Sequence, residues 1–147
     1  MKESPLHKLP NAGLSRRLAA ATYDWLLVLA LMMVLSVPLI ALIDAPISSG
    51  TLGYQVLLIA IAAVFFASFW HFGGQTLGMR AWRLRLVANE SVKVGWSATL
   101  VRFIAACGSA VPAGAGFWWL WFDHDNLTWH DRLSRTRIVV LPKNPRN

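Results

Sequence analysis

A chain of 147 residues with 56% hydrophobic and only 14% charged residues is too apolar for a disordered segment or an ordinary soluble enzyme, since soluble domains carry about 25% charge. A single cysteine excludes an intramolecular disulfide scaffold. The net charge of +7 comes from basic residues beside apolar blocks, which suits anionic lipid headgroups and excludes nucleic acid as the natural partner.

The chain reads as one membrane domain between two tails. Residues 1 to 13 are polar, contain Pro5, Pro10 and Gly13, and are expected to form a flexible tail. The first apolar block, Leu18 to Ile43, follows Arg16 and Arg17. It is long for a signal-peptide core and lacks the small residue needed upstream of a cleavage site, so an uncleaved span is expected. Asp24 interrupts it early and Pro38 late, and residues 44 to 53 form a turn-rich loop. The second block, Tyr54 to Phe72, is apolar on all faces and ends at Gly73 and Gly74. A helix apolar all round is lipid-embedded, so the two blocks predict a transmembrane helical hairpin.

Polar residues 75 to 96 follow. Within them Arg80 to Val87 alternates, with Trp82, Leu84 and Leu86 on one face and Arg83 and Arg85 on the other, and this predicts a strand. Asn89, Glu90 and Ser91 supply a turn. The third block, Ser97 to Phe122, carries Arg102 and Cys107 and is interrupted by Gly108, Pro112, Gly114 and Gly116. Thr136 to Leu141 is rich in β-branched residues and stops at Pro142, which predicts a second strand and a tail over 142 to 147. No internal repeat is read. The fold class is an all-α membrane protein, a hairpin plus a Gly/Pro-broken third segment, with a short cytoplasmic β-ribbon.

Lysine and arginine counts set the topology. The tail up to Arg17 has four, the first loop none, the second loop four (Arg80, Arg83, Arg85, Lys93) and the C-terminal part five. Basic loops stay cytoplasmic, so the N-terminus lies inside. A third block that crosses once puts five basic residues outside; one that bends and re-enters keeps them inside, and the charges favour the bend. Tryptophans near block ends, among them Trp25, Trp70, Trp118, Trp119, Trp121 and Trp129, read as interfacial anchors.

Asp24 carries the most information, because a carboxylate within a lipid-spanning helix costs at least about 2.5 kcal/mol near its centre. Arg17, two turns earlier on the same face, and Arg102 are the candidate partners. Asp24 is then either a proton or cation site tuned by arginine or half of a structural ion pair. His130 and Asp131 lie near Asp123, His124 and Asp125, but the spacing matches no zinc or calcium loop. Asp131 is read as capping a helix or pairing with Arg80, Arg83 or Arg17. The turn Gly74-Gln75-Thr76-Leu77-Gly78 lacks the Lys-Ser/Thr ending of a P-loop and reads as tight backbone packing. His71 reads as an interfacial histidine. No catalytic constellation, metal site or cofactor motif is present, and no enzyme is expected.

Arg16-Arg17, Tyr23-Asp24, Gly74-Gln75-Thr76-Leu77-Gly78-Met79-Arg80, Arg102, Gly114-Ala115-Gly116-Phe117-Trp118, Trp129-His130-Asp131-Arg132-Leu133-Ser134-Arg135-Thr136 and Val139-Val140 occur in this order. Together they resemble the RDD family of small bacterial membrane proteins over about residues 14 to 141. The resemblance implies that Arg17, or its neighbour Arg16, with Asp24 and Asp131 are the family's arginine and two aspartates; Arg102, His130 and Arg132 are grouped with them as one candidate polar network. The resemblance further implies a bacterial cytoplasmic membrane and a transport role, including cation–proton exchange, with some members working inside larger complexes. The expected partners are therefore the bilayer, a monovalent cation or proton, and a second copy or a membrane-complex subunit. The rival expectation is a non-transporting scaffold or accessory subunit whose Arg/Asp network is structural. A third is a lipid-headgroup sensor using Arg80, Arg83, Arg85 and the C-terminal arginines.

Overall fold

Helix α1 (Leu14–Ile43) and helix α2 (Leu52–Phe72) contain 30 and 21 residues, about 45 and 31 Å at 1.5 Å per residue. Either length crosses a hydrocarbon core of about 30 Å. The computed structural model describes residues 6–43, 51–88, 93–110 and 127–143. The 44–50 loop, the Asn89 to Ser91 turn, the Pro112 to Trp121 part of the third block, the Asp123 to Asp125 run and residues 144–147 lie outside the described residues. Leu26, Met33, Val37 and Leu42 on α1 and Val56, Ile59, Val64 and Phe72 on α2 are all more than half exposed. Apolar surface this continuous is suited to lipid and not to water. Small residues sit on the inner faces instead: Ala20, Ala62 and Ala67 are buried, and the Tyr54 hydroxyl donates to Ser36 Oγ at 3.0 Å across the hairpin.

Beyond α2 the chain makes a short helix α3 (Leu77–Ala81), strand β1 (Leu84–Ala88), helix α4 (Trp96–Ala110), helix α5 (Trp129–Leu133) and strand β2 (Thr136–Val140). The first strand starts later than its alternation suggests. Arg80 and Ala81 close α3, and Arg83 takes φ 55°. That turn leaves Trp82 44% exposed, while Leu84 and Leu86 are buried. Helix α4 starts beside the end of α2, where the Trp96 and His71 rings stack at 4.3 Å and His71 Nδ1 lies 3.0 Å from the Val94 carbonyl oxygen. It packs back along α2, with Phe103 and Phe66 at 6.3 Å.

The strands pair antiparallel, with Leu84 opposite Val140, Leu86 opposite Ile138 and Ala88 opposite Thr136. Neither edge of this ribbon is bare. On the β1 side the Leu86 N–H donates to the Gly74 carbonyl at 2.7 Å, and Gln75 Nε2 donates to the Leu84 carbonyl at 2.6 Å. On the β2 side the Ala12 N–H donates to the Ile138 carbonyl at 2.8 Å and the Val140 N–H to the Pro10 carbonyl at 3.0 Å. Residues 10 to 12 thus belong to the domain and not to a flexible tail, and Ala12 is fully buried. Backbone groups of an edge strand need partners, and polar composition hides a segment that supplies them. The core gathers there: Ala12, Ala20, Trp70, Met79, Leu84, Leu86 and Val94 form one buried cluster, flanked by Phe66, Phe103, Ile138 and Val140.

An internal repeat does exist. Residues 76–87 (TLGMRAWRLRLV) and 128–139 (TWHDRLSRTRIV) share Thr76/Thr128, Arg80/Arg132, Arg83/Arg135, Arg85/Arg137 and Val87/Val139. Each unit is an N-capping threonine, a five-residue helix, an arginine at positive φ and a strand. Leu86 faces Ile138 in the ribbon, and these are equivalent positions. The units therefore relate by a pseudo-twofold through that pair. Identities this sparse in twelve residues do not register as periodicity.

Candidate functional site: an ion triad and a separate buried carboxylate

Helix α5 begins with a capping box. The Thr128 hydroxyl accepts from the Asp131 N–H at 3.3 Å, and Asp131 Oδ2 accepts from the Thr128 N–H at 3.1 Å. Such a box ties the first turn of a helix to itself, so the Asp131 carboxylate is fixed before any ion pair forms. Two arginines then grip it. Arg17 Nη1 reaches Oδ2 and Arg102 Nη1 reaches Oδ1, each at 2.5 Å.

Each arginine is also held from behind. Arg17 Nε donates to the Ala12 carbonyl at 2.8 Å. Arg102 Nη1 donates to Thr136 Oγ1 at 2.9 Å, and its guanidinium lies 5.3 Å from the centre of the Trp70 ring. Thr136 in turn lies 2.7 Å from Ser134 Oγ, which donates to the His130 carbonyl at 2.5 Å. Arg17, Arg102 and Asp131 are 5%, 2% and 1% exposed. One carboxylate thus joins the N-terminal segment, α1, α4, α5 and β2.

The electrostatics follow from this burial. Loss of water pushes the Asp131 carboxyl up, but Arg102 and Arg17 overcome that and hold it below the usual carboxylate range. His130 feels the opposite balance. Burial, reinforced by the Arg102 charge and only partly offset by Asp131, brings its imidazole down to about 3. Its ring is therefore neutral at physiological pH beside a charged triad.

Asp24 stands apart. Its Oδ2 accepts from the Thr76 hydroxyl at 2.5 Å and its Oδ1 from the Gly78 N–H at 2.8 Å. Thr76 is the N-cap of α3, and its Oγ1 also accepts from the Met79 N–H at 3.2 Å. Gly78 makes this contact by lying against α1. A Cβ there would fall 2.3 Å from the Ala20 carbonyl oxygen, closer than any real contact.

The expected pairing of Asp24 with Arg17 or Arg102 is thus corrected. Seven residues of helix separate Arg17 from Asp24 by about 10 Å, and both arginines turn to Asp131 instead. Asp131 both caps its helix and pairs with Arg17, whereas Arg80 and Arg83 are exposed. His130 is buried beside the triad. Arg16 is half-buried and Arg132 exposed, both outside the triad.

Gly74, Gln75, Thr76 and Gly78 form one device. Gly74 (φ +66°) and Gln75 cover the edge of β1, and Thr76 and Gly78 hold Asp24. Sequence reasoning missed Ala12, Thr128, Ser134 and Thr136 as members of the polar network. The equivalence of Thr76 and Thr128 in the repeat was the available signal for Thr128.

Comparison with known proteins gives no matching curated protein and no matching solved structure. The sequence pattern of the RDD family matches residues 11–135, from the segment that pairs with β2 to the arginine preceding that strand. With two lipid-length apolar helices and buried Arg/Asp pairs, this chain belongs to the RDD family of membrane proteins.

Proposed function

We propose that the chain is a transport-related protein of the bacterial cytoplasmic membrane that handles a proton or a monovalent cation at Asp24. The observation that carries this reading is the division between the two aspartates. Asp131 faces two guanidiniums and serves as a lock. Asp24 is 2% exposed and meets neutral groups, the Thr76 hydroxyl and the Gly78 N–H. A hydroxyl donates to a carboxylate and accepts from a protonated acid equally well, so the same partners suit both forms of Asp24. An ionisable residue inside a spanning helix with such partners marks a functional position.

In this reading the N-terminus and the ribbon face the cytoplasm, in keeping with the basic residues around β1 and β2. The third hydrophobic segment enters and leaves on that face. Two contacts support this: Arg102 of α4 bonds Asp131 and Thr136, and β2 pairs with β1. Three hydrophobic segments do not enclose a pathway, so a symmetric dimer or a larger membrane complex completes it.

The test is reconstitution into liposomes with pH-dependent Na⁺, K⁺ and Li⁺ flux measured for wild type and Asp24→Asn. Flux in the wild type and its loss in a folded Asp24→Asn protein is the expected result. Absence of flux in both overturns the reading. A scaffold or accessory subunit is the second reading, favoured by the triad that ties both ends of the domain together. It expects no flux and weaker partner capture by Asp131→Asn.

A further inference from the structure

The inner end of α2 and the turn after it leave a cleft of about 520 Å³, lined by Ser68, Phe69, Phe72, Gly73, Gln75 and Arg80. None of the three ionic groups of the triad lines it. Its walls divide by chemistry. Phe69 and Phe72 are apolar, and Phe72 is 80% exposed. Arg80 is an exposed cation that, among the described residues, makes no side-chain hydrogen bond or ion pair.

A second guanidinium stands next to the floor of the cleft. Arg85 lies over Gly74, its Nε 3.4 Å from where a Gly74 Cβ would be. That Nε–H is buried and has no acceptor among the described residues. A buried charged donor without an acceptor is costly, so negative charge brought near this turn is favoured by the field of Arg85, which stands behind the cleft lining.

Size and position narrow the occupant. The volume falls within the range of about 300 to 1,000 Å³ typical of organic ligand sites and exceeds what a lone phosphate fills. The cleft lies at the end of a 21-residue apolar helix, where hydrocarbon gives way to headgroups. We propose that it seats one anionic phospholipid, with the phosphate against Arg80, in the field of Arg85 behind the turn, and an acyl chain along Phe69 and Phe72. This stands on the membrane placement of α2 and is independent of any transport activity.

The test compares retention of phosphatidylglycerol and phosphatidylcholine of identical chains by the full-length protein in mild detergent, read by native mass spectrometry. Wild type is expected to prefer phosphatidylglycerol. Arg80→Gln is expected to reduce that preference about fivefold, the worth of one basic residue at an anionic surface. Gly73→Leu is expected to lower retention of both lipids, because a Cβ at Gly73 meets nothing closer than 3.4 Å and the larger side chain fills the cleft. Ser68→Phe is a second filler, and a melt of each variant separates loss of lipid from loss of fold. Inorganic phosphate and glycerol 3-phosphate are expected not to displace the lipid. Equal retention of both lipids by wild type, an unchanged preference in Arg80→Gln, or full displacement by inorganic phosphate would overturn the proposal, the last by making this a site for soluble anions.

Discussion

Arg17 and Asp131 are 114 positions apart in the chain, yet their side chains meet at 2.5 Å with almost no solvent on either. Arg102 closes on the other oxygen of the same carboxylate. Removing that carboxylate leaves two buried cations facing each other, and breaking a buried ion pair from one side costs about 3–5 kcal/mol. Asp131→Asn is therefore expected to destabilise the protein by about that amount, measured by unfolding in detergent. In a double-mutant cycle, Arg17→Gln and Asp131→Asn are expected to couple by about 0.5–3 kcal/mol. Strict additivity would remove the lock from the account of the fold.

The pH dependence divides between two neighbours with known sign. Asp131 titrates lower in the folded protein than in the unfolded chain. Its contribution is fully present above the unfolded value and is lost only as pH falls through the still lower folded value. His130 is held at about 3 against an ordinary 6.5, so between those values the unfolded chain binds the extra proton. Stability then declines as pH drops below about 6.5, with a slope approaching 1.4 kcal/mol per pH unit. His130→Gln is expected to flatten that decline between pH 6.5 and 4. A profile unchanged by the substitution would contradict the assigned burial of the imidazole.

The spans were legible because composition alone marks them: the second block predicted at Tyr54 to Phe72 is a helix from Leu52 to Phe72. The Thr136 to Val140 strand was legible from its β-branched residues. The partners of Asp24 were not. Helical spacing put Arg17 on the same face, but it says nothing about α5 offering Arg17 a nearer carboxylate. The Pro10 to Ala12 contact with β2 was hidden for a different reason, since it runs between backbone groups that every residue carries. The acids and bases were visible, whereas the hydroxyls of Thr128 and Thr136 that align them carry neither charge nor periodicity, and Thr136 was read only as a strand start.

The repeat makes a prediction of its own. Arg83 and Arg135 hold φ at 55° and 51°, each between a five-residue helix and a strand. Left-handed backbone at a residue with a Cβ costs about 1–2 kcal/mol and suits β-branched residues least. Arg83→Val and Arg135→Val are expected to destabilise the fold by similar amounts of about 1–3 kcal/mol, with Arg→Gly at either position near neutral. Thermal unfolding of the four variants is the measurement. A large effect at one position and none at the other would break the equivalence of the two units.

Gly78 offers the sharpest steric test of how Asp24 is held. Its N–H reaches the carboxylate only because α3 lies directly on α1, with an added Cβ 2.3 Å from the Ala20 carbonyl oxygen and 3.0 Å from Asp24 Cγ. The obstructing atom at Ala20 belongs to a helix backbone and has no rotamer to yield. Overpacking of this kind costs about 1–3 kcal/mol, and here separating the helices also breaks the bonds from Gly78 and Thr76 to Asp24. Gly78→Ala is therefore expected to lower stability by at least the upper part of that range and to mimic Asp24→Asn in any flux assay. Gly73→Ala, five residues away and with no such clash, is expected to stay within about 1 kcal/mol of wild type. Equal tolerance of alanine at both positions would show that α3 does not rest on α1 as described, and the neutral cradle of Asp24 would go with it.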